Sequence, residues 1–201
     1  EPIGKQDQYA AAFGGFNVFQ FNADGTVDAK PVLIDYKVRS ALEHNMLVFF
    51  MGLTRDASSV LTEQKANIGK KMETLKAMAD LVPEFEARLI RGDLKGMGEM
   101  LHSGWMKKKS LTTNASNSII DQYYNAGMSN GAWGGKVLGA GGGGCVMFFA
   151  PTGKHPAMKK ALATIAKQNN LSEAREIPVK FVQSGAEVLF NGDHFYETRF
   201  A

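Results

Sequence analysis

Cysteine is nearly absent from this sequence: Cys145 is the single one among 201 residues. One thiol excludes an internal disulfide and any Cys-cluster zinc site, and it fits a reducing compartment. Charge of one sign is also lacking. Lys and Arg total 23 against 20 Asp and Glu, for a net charge of +3. With no long Lys/Arg stripe, that balance gives no argument for a nucleic-acid partner. Long apolar runs are missing too. The longest, Met46 to Leu53, falls far short of the roughly 20 residues of a spanning helix, so no membrane partner is expected. No segment reads as a secretory signal peptide. The four histidines, His44, His102, His155 and His194, show no metal-ligand spacing, so no metal site is assigned. What is present is ordinary for a soluble globular chain, with 44% hydrophobic and 21% charged residues. The expectation is a soluble cytoplasmic protein with one good core or two small ones.

The pattern of residues predicts an α+β order. Gln6 to Phe13 predicts a short Ala-rich helix stopped by Gly14 and Gly15. Phe16 to Phe21 and Thr26 to Ile34 predict two strands around an Asn22-Ala23-Asp24-Gly25 turn. Asn45 to Met51 predicts a strand buried on both faces. Leu61, Ile68, Met72, Leu75 and Ala79 then share one helical face. Pro83 can open another helix, with Phe85 and Leu89 inward. Leu94, Met97, Leu101 and Trp105 continue the helical spacing after a break near Gly92. Ser116 reads as the N-cap of a helix that carries Ile119, Ile120, Tyr123 and Tyr124 and ends at Gly127. GAWGGKVLGAGGGGCVMFFAP reads as strand, glycine loop, strand. Pro156 opens a helix through Met158, Leu162 and Ile165, and two strands, Val179 to Gln183 and Ala186 to Phe190, close the chain around Ser184-Gly185. This is α+β with antiparallel sheet, not a doubly wound fold. The best place for a domain boundary is Ser40 to His44.

Nine of the 22 glycines lie between Gly127 and Gly144. Gly139, Gly141 and Gly144 satisfy the dinucleotide spacing G-x-G-x-x-G, but that fingerprint must lead into a helix. CVMFF after the glycines is apolar and aromatic and reads as strand, so the dinucleotide reading is rejected. A turn without Cβ atoms lets a phosphate or sugar lie against the backbone. A tight hairpin needing positive φ is the plainer explanation, and it accounts for one or two glycines better than for four in a row.

Asp7 falls in the first turn of its predicted helix, where the dipole favours an ionised carboxylate. Helix capping is the ordinary role of Asp there. Lys107, Lys108 and Lys109 form a short basic run that reads either as a solvated face or as a phosphate clamp. Cys145 reads as a small buried hydrophobe rather than a nucleophile.

Three stretches together resemble the GHMP small-molecule kinase superfamily, and within it the heptose 7-phosphate kinase branch. They are GKQDQYAAAFGGFNVFQF (Gly4 to Phe21), W-x-x-K-K (Trp105 to Lys109) and KVLGAGGGG (Lys136 to Gly144). The closing SGAEVLF is similar to that family's last strand. The resemblance implies the end of a GHMP N-terminal domain over residues 1–40. It implies an α/β-sandwich, ferredoxin-like C-terminal domain with antiparallel sheet over residues 41–201.

It implies roles as well. Asp7 would take or orient the proton of the attacking sugar hydroxyl, the anomeric one for a heptose kinase. Gly139, Ala140, Gly141, Gly142, Gly143 and Gly144 would wall the active site. Lys108 and Lys109 are expected to hold the substrate's existing 7-phosphate. Lys5, Gln8 and Tyr9 are further candidates for sugar or phosphate contacts. ATP and Mg²⁺ are the implied cofactors, with their phosphate loop and metal ligands expected upstream of Glu1. The implied partners are the sugar phosphate, ATP, an N-terminal half and a second copy of the chain. The chain alone is therefore expected to be inactive or nearly so. Cys145 stands where a bulky apolar residue is expected. Two rivals stay open: another GHMP sugar kinase acting on fucose or a hexose, and a non-catalytic kinase-derived module that works with a partner chain.

Overall fold

A computed structural model of the chain describes residues 4–54, 57–187 and 189. It divides into two compact units: Leu33–Lys180, and Gly4–Val32 with the residues from Phe181 onward. The division between these units runs at Val32/Leu33. Ser40 to His44 lies inside a helix.

In the small unit, helix α1 (Gln6–Phe13) precedes a hairpin of β1 (Asn17–Phe21) and β2 (Val27–Pro31). Gly14 caps α1 at φ 64°, and its N–H reaches the Ala10 carbonyl. Asp24 fixes the hairpin turn by accepting from the Thr26 N–H and hydroxyl, at 2.9 and 2.6 Å. The Tyr9 ring sits within 6.2 Å of the Phe13, Phe19 and Phe21 rings, so α1 packs on the hairpin through aromatic contacts. The segment after Phe181 passes close to the end of α1. Gly15 N–H donates to Val182 and Ala186 N–H to Ala12. A Cβ on Gly185 would lie 2.1 Å from the Ala12 carbonyl oxygen, which is why glycine stands there.

The large unit opens with α2 (Tyr36–Asn45), capped by Asp35 accepting from the Lys37 N–H at 2.7 Å. A four-stranded antiparallel sheet in the order β4-β5-β3-β6 is its core. Its strands are β3 (Met46–Phe50), β4 (Gly134–Val137), β5 (Cys145–Phe149) and β6 (Arg175–Glu176). The buried β3 lies between β5 and β6, as its unbroken apolar run predicts. Helices α6 (Leu94–Lys109), α7 (Ser118–Ser129) and α8 (His155–Gln168) supply apolar residues to the core cluster of this sheet, and α5 (Val82–Arg91) packs on α6. Trp105, Ile120, Tyr123, Phe148, Met158 and Leu162 are almost fully buried in one cluster.

Several expected boundaries differ. The face from Leu61 to Ala79 is not one helix. It is α3 (Ala57–Asn67), a 3₁₀ turn at Gly69–Lys71 and α4 (Met72–Ala79). Gly69 lowers helix propensity where the helix breaks. The N-cap of α7 is Asn117, whose side chain accepts from the Ile119 and Ile120 N–H groups at 3.0 Å, so Ser116 is displaced by one residue. The helix also runs past Gly127, which is a packing position: a Cβ there would sit 2.2 Å from the Phe148 ring. Val179 to Gln183 is not a strand, and the last strand among the described residues is the earlier β6. Part of Ala186 to Phe190, including Phe190 itself, lies outside the described residues.

Candidate functional site

The glycine loop between β4 and β5 is held from three directions. Leu138 N–H donates to Cys145 and Gly144 N–H to Leu53, both at 2.8 Å. Gly142 N–H donates to the Ala115 carbonyl at 2.9 Å. Ala115 lies in a 3₁₀ turn (Thr113–Ala115) anchored by Glu63, whose carboxylate accepts from Thr113 N–H and Oγ1 at 3.0 Å and from Asn114. Hydrogen bonds from the Thr112 hydroxyl first, then the Thr113 N–H, lower the Glu63 pKa to about 2. A fixed anion on α3 thus positions the turn against which the loop lies.

Gly139, Gly141, Gly142 and Gly144 all have positive φ, between 67° and 101°. Conformation alone therefore requires four glycines, more than the sequence argument allowed. Their surroundings then separate them. A Cβ on Gly141 would strike the Ala115 carbonyl, 2.6 Å away, whereas one on Gly139 or Gly144 would meet nothing within 4 Å. Among the described residues, the N–H groups of Gly139, Ala140, Gly141 and Gly143 have no hydrogen-bond acceptor. An open backbone with unused donors suits an anionic or hydroxylated ligand. The loop joins antiparallel strands, so it is no dinucleotide fingerprint.

Lys108 and Lys109, adjacent on α6, have different surroundings. Lys109 is taken by Asp121 at 2.5 Å, and Asp121 also accepts from Ser116 Oγ at 2.7 Å. Burial pushes the Asp121 carboxyl up, but these bonds outweigh it and hold it below the usual carboxylate range. Lys109 is thus held in an ion pair with α7. Lys108 instead donates to the Gly139 carbonyl. It lines a cavity of about 250 Å³ together with Lys136 of β4. Desolvation, then the nearby Lys136 charge, lowers the Lys108 pKa to about 8, and desolvation lowers that of Lys136. The cavity walls are otherwise apolar, including Leu81, Phe85, Met100 and Leu101. Trp105 also lines it, and its buried indole Nε1–H has no acceptor among the described residues. Lys136 opens the glycine motif, but nothing in the sequence shows that its side chain shares a cavity with Lys108.

In the small unit, Asp7 is exposed in the first turn of α1, where no side chain caps the helix. The ordinary capping role is therefore not what holds Asp7 there. Lys5 occupies the N-cap position and is exposed. Gln8 is committed locally: with its amide turned to satisfy both ends, it donates to the Gly4 and Lys5 carbonyls at 3.0 and 3.1 Å. The Tyr9 ring is committed to the aromatic packing described above. Cys145 is half-buried, and burial raises its thiol pKa, as expected of a packing residue rather than a nucleophile. Among the described residues no three His, Cys, Asp or Glu side chains cluster to hold a metal ion. No described helix is long and apolar enough to cross a membrane.

Residues 81–171 match the GHMP kinases C terminal family, so the chain carries a GHMP kinase C-terminal domain. Its α+β fold with antiparallel sheet is that of their C-terminal domain. Its particular likeness is to the D-glycero-alpha-D-manno-heptose 7-phosphate kinase of Campylobacter jejuni. The two are 34% identical over 159 residues, which is 78% of this chain and 47% of that protein. Among solved structures, a D-glycero-D-manno-heptose 1-phosphate kinase from Bacteriodes thetaiotaomicron is 26% identical, with a TM-score of 0.62. The match covers 94% of this chain and 50% of that one. A putative sugar kinase from Campylobacter jejuni is 27% identical with a TM-score of 0.60, over 90% of this chain and 50% of its own. The chain spans about half the length of the relatives it matches.

Proposed function

We propose that the protein carrying this chain transfers the γ-phosphoryl group of ATP to the anomeric hydroxyl of D-glycero-D-manno-heptose 7-phosphate. The observation that carries this reading is the 34% identity to a heptose 7-phosphate kinase over 78% of the chain. The exposed, uncapped Asp7 and the open glycine loop are consistent with it. Phosphoryl transfer asks little covalent chemistry of a protein, chiefly positioning and charge stabilisation. The Asp7 carboxylate accepts the proton of the sugar hydroxyl as its oxygen bonds to the γ-phosphorus. The bond from that phosphorus to the bridging oxygen breaks, and ADP leaves with the electron pair. Mg²⁺ would screen the phosphate charges when bound; the described residues offer no cluster of ligands for it.

The test is a coupled ADP-release assay of the protein with ATP and a panel of acceptors. Heptose 7-phosphate, heptose 1-phosphate, fucose and a hexose separate the branches. Turnover with heptose 7-phosphate above the others is expected. Asp7→Asn should lower turnover by about 10²–10⁴-fold while ATP binding persists. Unchanged turnover in that variant removes Asp7 from the chemistry, and a preference for fucose removes the heptose assignment.

A further inference from the structure

The cavity between α4, α5, α6 and β4 has polar groups of one kind only. Lys108 and Lys136 bring ammonium donors. Apart from these, the wall is apolar. Neither lysine has a carboxylate within ion-pair distance among the described residues, although Lys109 next door has Asp121. Two like charges brought together without a counter-ion are unfavourable, and more so away from water. A ligand with two negative charges answers this deficit.

We propose that Lys108 and Lys136, not Lys108 and Lys109, form a binding site for a phosphate monoester dianion at this cavity. The Gly139 carbonyl holds Lys108 beside the glycine loop, and β4 carries Lys136 on the strand that leads into it. The charge match is two against two, and a phosphate group accepts from both ammonium groups at once. Two sources share this chemistry. One is the phosphate already on the sugar acceptor, in which case the inference rests on the proposed kinase reading. The other is a phosphate ester with an apolar body that fills the rest of the cavity.

Titration calorimetry on the chain as it stands tests this without turnover, so its failure is separable from failure of the kinase reading. The probes are D-glycero-D-manno-heptose 7-phosphate, 2-naphthyl phosphate and 2-naphthol. At least one phosphate ester is expected to bind. Lys136→Met should weaken it about tenfold or more, Lys136→Arg should retain it, and Lys109→Met should leave it within about twofold. Tighter binding of the heptose ester assigns the site to the acceptor, and tighter binding of the naphthyl ester assigns it to a modulator. The lining from α4, α5, α6 and β4 contains no titratable group besides Lys108 and Lys136. Affinity should therefore be greatest between about pH 6, where the ester loses its second proton, and about pH 8, where Lys108 loses its own. Naphthol binding as tightly as its phosphate overturns the proposal. So does an unchanged affinity in Lys136→Met, an equal loss in Lys109→Met, or no binding of either ester.

Discussion

Adjacent lysines on one helix need not share a role, because neighbours on an α-helix point about 100° apart. Lys109 meets Asp121 of α7, while Lys108 meets the glycine loop and a largely apolar cavity. The consequence for stability follows from the direction of the shift. The Lys108 pKa is about 8 in the folded protein and 10.5 in its ordinary state, so between those values the unfolded chain binds more protons. Stability therefore rises with pH through that window and is lowest below it. Lys136 is shifted the same way and adds to the slope. Lys108→Met removes the cost of keeping a charged ammonium in this cavity. It should raise Tm at pH 7 by roughly 2–4 °C, the response of a chain this size to about 1 kcal/mol. The gain should fade as pH approaches 10.5. Thermal melts at pH 7, 9 and 10.5 check this, and a variant that melts below wild type at pH 7 contradicts it.

At the scale of elements, what was legible in the sequence was what repeats. α1, the hairpin, β3 and the strand–loop–strand of the glycine motif each carry a period or a capping residue, and each lies where the pattern places it. α2 has no such stripe: Leu42 alone is fully buried along it, so the period is faint, though the Asp35 cap was there to be read. β6 is Arg175–Glu176, two exposed charged residues recruited by the edge of β3, which no hydrophobic period announces. The glycine cluster shows why the site was only partly readable. One composition serves three purposes: packing at Gly127, Gly134 and Gly135, conformation at Gly139, Gly141, Gly142 and Gly144, and an open surface at Gly139 and Gly144 as well. Composition cannot sort these, since the deciding atoms belong to Gly98, Ala115 and Phe148. The sorting is testable at Gly134, where a Cβ would lie 1.9 Å from the Gly98 carbonyl oxygen, so that α6 lies directly against β4. Gly134→Ala forces the two backbones apart and should cost about 1–3 kcal/mol. Chemical denaturation should show a lower midpoint. A midpoint like that of wild type would mean that the helix can shift without loss.

At the scale of the whole molecule, the chain order does not follow its compact units. The small unit takes its first part from Gly4–Val32 and its last from the residues after Phe181, with the entire large unit between them in sequence. Its helix and hairpin are short: an eight-residue helix without a fully buried side chain and two five-residue strands. Elements of that size are marginal alone. The tie between the two ends is made by backbone: Gly15 N–H to Val182, Ala186 N–H to Ala12, and a glycine at 185 that admits the approach. Asp7 rides on this same helix, so its position depends on residues nearly the whole chain away in sequence. Gly185→Val should loosen the tie, because its Cβ would overlap the Ala12 carbonyl. Hydrogen exchange should then quicken by about tenfold or more, equivalent to about 1.4 kcal/mol, at the amides of α1 and the hairpin. The amides of β3 and β5, paired in the core of the large unit, should exchange as in wild type. If β3 and β5 quicken as much as α1, the two units open together, and the small one is not a separate unit of stability.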